Sequence, residues 1–449
     1  MTQDPKELAP GMSVARDFII SKAHAAGKPT CSPAVEADEN DGLLSTYPHL
    51  LKGKSLTIRA MSLMEEVSVF GTAVIEIDGT QSETNSDCGT VSRDLQLKVA
   101  QAIETTCQSV DGLWGLVGNT AFGCFFPGCN QAETMEVANK IKKLLAAGCL
   151  NTVTIGIAVF PTLEYKKDRI LDNAGKALEH AKFFGSDSLV CFDAISLNIS
   201  GDKLYDSGDY QGAIDEFNTA LLIDAKDANL HNSLGVCYGV TGEFSKALDH
   251  FSVAITLDSK EALSHYNAAL VHLLLGERDK ATTHLLEADK SPHRLHEVAL
   301  QLGKLYLEDD QHDKCKAYLK KAAAWQPQSG AVYSLLGDCF AALGQSEDAV
   351  AAYKKSLRLN ANDAASLSGL GWLYNTMEKN ADIAKSFCQH STDIAPQNGL
   401  YRYRLGRIYH KDGRFQEAKQ EFQTAVDLGY EPASIYLEKV ENRLIDKAS

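Results

Sequence analysis

The 449-residue chain is short of positive charge: 44 Lys and Arg stand against 59 Asp and Glu, a formal net charge of −15. A field of that sign repels phosphate backbones and anionic lipid, so no nucleic acid partner and no membrane insertion are expected. Runs of about 18 apolar residues are missing, which argues against a spanning helix. The opening MTQDPKELAPGMSVARDF has acids and prolines where a secretory leader needs a basic patch and an apolar run, so a cytoplasmic location is expected. The 11 cysteines include no CxxC pair, and the nearest spacing, Cys124 to Cys129, fits no common zinc or redox pattern. Reduced, mostly buried thiols are expected, with neither metal nor cofactor. Missing too are GxxxxGK[ST], HExxH, GxSxG and the dinucleotide fingerprint.

What is present is an ordinary globular composition, 44% hydrophobic and 23% charged, at a length that implies about two or three domains. From about Ala194 the chain becomes self-similar at a period of roughly 34 residues. NSLGVCYGVTGEFSKALDHFSVAITLD (232–258) lies over YRLGRIYHKDGRFQEAKQEFQTAVDLG (403–429). Gly235 and Gly406 precede Tyr238 and Tyr409; then Gly242 and Gly413, Phe244 and Phe415, Ala247 and Ala418, and Phe251 and Phe422 follow in step. Small residues let two antiparallel helices approach, and the rings fill the space around them. The register recurs about seven times, once with an extra residue in the turn after Tyr374. The closing PASIYLEKVENRLIDKAS is amphipathic and suits a terminal cap. Histidines of this half, including His293 and His296, are expected on the surface or in packing.

This half resembles the tetratricopeptide repeat family over some 250 residues. The resemblance implies an all-α superhelical solenoid whose concave face, lined by the first helix of each pair, holds a protein or peptide partner. It implies no chemistry. Family geometry puts the second, fifth, ninth and twelfth residues of each first helix on that face. Counting from Ala364 and Gly399 gives Ala365, Ser368, Trp372 and Asn375, then Leu400, Tyr403, Arg407 and His410. Trp372, Asn375, Tyr403, Arg407 and His410 are the candidate partner-binding residues, because aromatic and Arg side chains dominate binding hot spots. The second repeat offers Asn229, Asn232 and Val236, which could fix a peptide backbone but give no such anchor.

Between about Ser55 and Asp193 strands alternate with helices: GTAVIEID, a helical DLQLKVAQAIETTC, the hairpin WGLVGNTAFGCFFP, a helical AETMEVANKIKKLLAAG, VTIGIAVFP, a helical RILDNAGKALEHAKFFG and SLVCFD. An α+β sandwich with a mostly antiparallel sheet is the expected packing. The stretches TIGIAVFP, ALEHAKFFG and FGCFFP resemble the GGDEF domain of diguanylate cyclases over about 140 residues. That family holds two divalent metal ions on carboxylates of its first strand and its signature hairpin. Here the hairpin aligns as Gly118-Asn119-Thr120-Ala121-Phe122, so Thr120 and Ala121 stand at the two acidic positions. A hydroxyl and a methyl cannot replace two charges opposite Mg²⁺. Glu76 keeps a carboxylate at the first-strand position with Asp78 two residues on, and Lys182 keeps the phosphate-contacting lysine, while Ser186 replaces the arginine beyond it. Thr84, beside Asn85, stands where the family's guanine-reading Asn falls, and the inhibitory motif retains only Asp111. Glu76, Asp78 and Lys182 are thus vestigial cofactor-binding candidates.

Four segments follow: an extended or poorly ordered lead (1–54), a degenerate GGDEF-like domain (55–193), the repeat array (194–431) and a capping helix (432–449). The expected function is that of a bacterial-type, non-catalytic signalling scaffold. The alternative is a regulatory protein that still binds nucleotide weakly, GTP or cyclic di-GMP, and relays occupancy to the repeats.

Overall fold

The computed structural model describes residues 18–19, 41–79, 93–118, 121–147, 151–259, 261–292 and 295–448. Contacts divide the chain into two compact units, Met1–Ser259 and Lys260–Ser449. The first begins with α1 (Asp41–Thr46), β1 (Leu51–Lys52), α2 (Lys54–Leu63), β2 (Phe70–Ile77), α3 (Arg93–Gln108), β3 (Leu113–Leu116), β4 (Ala121–Pro127), α4 (Gln131–Ala146), β5 (Val153–Phe160), α5 (Ile170–Lys182) and β6 (Leu189–Cys191). The strands form one sheet in the order β1-β3-β4-β2-β5-β6, antiparallel from β3 to β5 and parallel at its two edge pairs.

Strand alternation divides the core in two. Ala73, Ile75 and Ile77 of β2, with Phe122, Cys124 and Phe126 of β4, pack in one cluster with Val99 and Ile103 of α3 and Val137 and Ile141 of α4. Phe70 and Val74, with Phe125, pack in the other with Leu56 and Ala60 of α2 and Ile170, Leu171 and Ala174 of α5. Helix α5 lies against β5 backbone to backbone. A Cβ on Gly156 would stand 2.0 Å from the Leu178 amide nitrogen and 2.2 Å from the Ala174 carbonyl oxygen, so only glycine fits the strand there.

The expectation of an extended lead to residue 54 needs correction at its end. Asp41–Thr46 is helical, Leu51–Lys52 pairs in parallel with β3, and Leu43 is buried in the α3/α4 core. Leu43, with Tyr47 and Leu50 packed against the same core, supplies enough apolar surface to dock a segment that reads as polar overall.

The same unit continues with two helical hairpins, α6 (Ala194–Ser207) with α7 (Tyr210–Ile223) and α8 (Ala228–Val240) with α9 (Phe244–Leu257). The second unit holds five more: α10 (Ala262–Leu274) with α11 (Arg278–Asp289), α12 (His296–Glu308) with α13 (His312–Trp325), α14 (Gly330–Ala342) with α15 (Ser346–Leu359), α16 (Ala364–Thr376) with α17 (Ala381–Ile394), and α18 (Gly399–Lys411) with α19 (Phe415–Asp427). After these, α20 (Ser434–Ala448) packs on α19 and buries Val440.

Five of the seven hairpins are locked by a glycine on the first helix facing a large residue on the second. A Cβ on Gly201, Gly235, Gly303, Gly337 or Gly406 would stand 2.4–2.8 Å from Phe217, Phe251, Leu319, Tyr353 or Phe422, always 16 residues on. The turns of five hairpins place Gly208, Gly242, Gly276, Gly344 and Gly413 at positive φ, where glycine carries no Cβ penalty. Where glycine is missing, Asp310 takes the left-handed conformation instead (φ 57°).

Candidate functional site

In the second unit the first helices touch one another, α12 with α14, α14 with α16 and α16 with α18. A polar thread crosses them: the Ser366 hydroxyl bonds Ser334 at 3.0 Å, and Arg404 donates to Ser368 at 3.0 Å. Ser368 is fully buried by this bond, so this counted position is occupied from within.

Three of the candidate residues meet beside it. Arg407 donates to the Tyr403 hydroxyl at 2.7 Å, and its guanidinium lies 5.3 Å from the Trp372 ring centre and 5.7 Å from that of Tyr403. Its nearest ring belongs to α20: Tyr436, at 4.1 Å. Stacking of this kind holds a guanidinium without neutralising it. Among the described residues no carboxylate pairs with Arg407, Lys439 or Arg443. The cations gather near His410, whose pKa is lowered by burial and then by Arg443, Arg407 and Lys439. His410 packs edge-on against Phe415 and Tyr436. Asn375 stands apart from the cluster; its carbonyl accepts a long bond from Lys411 at 3.4 Å. Tyr436, Lys439 and Arg443 escaped the repeat arithmetic because they sit on the terminal helix, and the amphipathic pattern of that helix signalled only a cap.

The histidines form pairs. His231 and His250 approach Nδ1 to Nδ1 at 3.1 Å, and His265 and His284 do the same in the next repeat, with His272 stacked on His284 at 5.3 Å. His293 lies outside the described residues, and His296 stands 3.1 Å from Glu297.

In the sheet-bearing unit, alternation places Glu76 on the α5 face of β2, near the strand's C-terminus, where its Cα partner across the ladder is Ala121. Thr120, Thr84 and Asn85 lie outside the described residues. The Glu76 carboxylate pairs with Lys182 at 3.0 Å, Lys182 also pairs with Glu179 at 2.9 Å, and Glu179 accepts a further bond from Lys203 of α6. Burial alone would lower the Lys182 pKa, but the bonds and charges of Glu179 and Glu76 outweigh it and raise the pKa above its usual value. Asp78 is engaged separately. Both its oxygens accept hydroxyl bonds, from Thr152 and Thr154 at 2.6 Å each, and the Asp187 amide adds a third at 2.8 Å. Glu76 and Lys182 are therefore brought together, whereas Asp78 anchors the loop before β6. Among the described residues no three His, Cys, Asp or Glu side chains converge as a metal site requires, and no helix is long and apolar enough to cross a membrane.

A cleft of about 520 Å³ opens between α2, α5 and α6 and includes Lys54, Lys176, Glu179, Ser200 and Lys203 in its lining. Its lysines are largely engaged: Lys176 bonds Glu216 at 2.6 Å and Lys203 bonds Glu179.

Comparison with known proteins gives the same picture for the helical hairpins. Models of the tetratricopeptide repeat match residues 201–239, 262–287, 306–373 and 401–428. Anaphase-promoting complex subunit 6 of Dictyostelium discoideum is 27% identical over 116 residues, which are 26% of this chain and 13% of that protein. The solved structure of YrrB, described as a TPR protein with an unusual peptide-binding site, is 20% identical over 41% of this chain and 95% of its own, with a TM-score of 0.38. The Cut9-Hcn1 hetero-tetramer of APC/C is 15% identical over 70% of this chain and 60% of its own, with a TM-score of 0.43. The chain carries tetratricopeptide repeats across residues 201–428.

Proposed function

We propose that the chain is a non-catalytic signalling scaffold. A protein or peptide partner lies along the first helices of its repeats, against Trp372, Asn375, Tyr403, Arg407 and His410, and the array over 194–431 is capped by 432–449. Arg407 carries this reading: it is half-buried among Trp372, Tyr403 and Tyr436 and pairs with no carboxylate among the described residues. A partner segment with apolar side chains and one acidic group would complete it. Residues 55–193 form a GGDEF-like domain without activity. In support, the strand and helix order follows the one the resemblance implies, and a methyl group faces Glu76 where a metal ligand would stand.

The test is capture of partners from the native organism on full-length protein. Tyr403→Ala and Arg407→Glu should each weaken capture about tenfold or more while leaving the circular dichroism spectrum intact. Unchanged capture by both, with loss on substitution in the GGDEF-like half, would sink the groove assignment. A second reading, nucleotide sensing, is favoured by the cleft beside Glu179. Calorimetric binding of GTP or cyclic di-GMP without turnover would select it.

A further inference from the structure

The groove of the first unit is not empty. Phe18 is 6% exposed, and its ring lies on the backbone of α8, where a Cβ on Gly239 would stand 2.9 Å from it. One residue on, the Ile19 carbonyl accepts a bond from the Asn232 side chain at 3.3 Å. Counted from Ala228, Asn232 and Gly239 are the fifth and twelfth residues of α8. These are two of the positions that the tetratricopeptide resemblance puts on the concave face.

Gly239 needs this explanation. Glycine within a helix costs about 1 kcal/mol relative to alanine. The other glycine of α8, Gly235, is required by Phe251 of the same hairpin, whereas the three atoms nearest a Cβ on Gly239 all belong to the Phe18 ring. A ring seat on bare backbone and an amide that reads the next carbonyl make a two-point site for an extended segment with an aromatic side chain.

We propose that Phe18-Ile19 is an intramolecular occupant of the α8 groove, a stand-in for a partner segment of the same chemistry. A segment of the same chain competes intramolecularly, so a free partner of equal intrinsic affinity must exceed the segment's effective concentration to displace it. The inference rests on the groove-binding reading and narrows it: this part of the array takes an aromatic residue followed by a free backbone carbonyl, and it is shielded until that segment is displaced.

The experiment uses the full chain and a fluorescent peptide of its residues 12–24. Wild type should bind the peptide weakly, and Phe18→Ala should bind it about tenfold tighter or more. Adding Gly239→Ala to Phe18→Ala should abolish the gain; alanine favours the helix, so that variant keeps its fold. Adding Asn232→Ala should weaken binding as well. In the second arm, chymotryptic cleavage after Phe18 should be slow in wild type and several-fold faster in Gly239→Ala. Peptide binding no tighter in Phe18→Ala than in wild type, or indifferent to Gly239→Ala, overturns the proposal, as does equal cleavage of wild type and Gly239→Ala. Partner capture through Tyr403 and Arg407 is a separate measurement, so either reading can fail without the other.

Discussion

At the scale of the residue, His284 shows how the packed repeats set a titration. Its imidazole is stacked on His272 and meets His265 Nδ1 to Nδ1, with the Glu287 carboxylate acting in the opposite sense. Burial, then the charges of His265 and His272, push its pKa from 6.5 down to about 4. The unfolded chain binds the proton first as pH falls, so the stability held at neutral pH is lost between about pH 6.5 and 4. His231 and His250 are lowered in the same direction. The thermal midpoint should drop across that window, and His284→Asn should flatten the fall. A wild-type midpoint that stays level from neutral pH to about 4 would contradict the assignment.

At the scale of the element, the joint between β6 and α6 is short and heavily bonded. Asp193 caps α6, its carboxylate accepting from the Ser196 amide and hydroxyl at 2.8 Å each, and buried His180 approaches the same oxygen at 3.2 Å. Lys203 to Glu179 and Lys176 to Glu216 tie α6 and α7 to α5. The lysine and glutamate that resemble catalytic remnants thus connect, through Glu179, to the first hairpin. Asp193→Ala should cost about 1 kcal/mol through the lost cap, measured by urea unfolding. Limited proteolysis should spare residues 190–200; ready cleavage there, with the lead left whole, would mean a loose joint.

Much of this was legible because it repeats. The facing of Gly235 by Phe251 follows from spacing and recurs in other hairpins, so chance agreement is averaged away. Single events left weaker signals. Strand β1 has only two residues, too few to show alternation, and Tyr436 reaches Arg407 from a helix outside the repeat register. Side-chain pairing across 106 residues, as between Glu76 and Lys182, has no period to reveal it.

At the scale of the whole molecule, charge and site chemistry point the same way. A chain of net charge −15 attracts no polyanion at long range, and the carboxylate left at Glu76 is paired with Lys182 and faces Ala121. On the proposed GGDEF-like reading, Thr120 and Ala121 in place of two acids remove electrostatic stabilisation of the developing phosphate charge, worth a few kcal/mol for each ligand. Purified protein with GTP and Mg²⁺ or Mn²⁺ should therefore yield no cyclic di-GMP by chromatography. Product whose formation depends on Glu76 would refute this.

The turn between α16 and α17 has a practical consequence. One added residue moves the small-to-large lock from 16 residues to 17, Gly371 now facing Cys388, and the backbone absorbs it at Glu378 (φ 54°) and Asn380 (φ 52°). The loop, not the helix interface, takes up the change in length, and closing a longer loop costs only about 0.6 kcal/mol per doubling. A reporter tag spliced between Glu378 and Asn380 should leave both helices paired, giving a handle on the array that touches neither end of the chain.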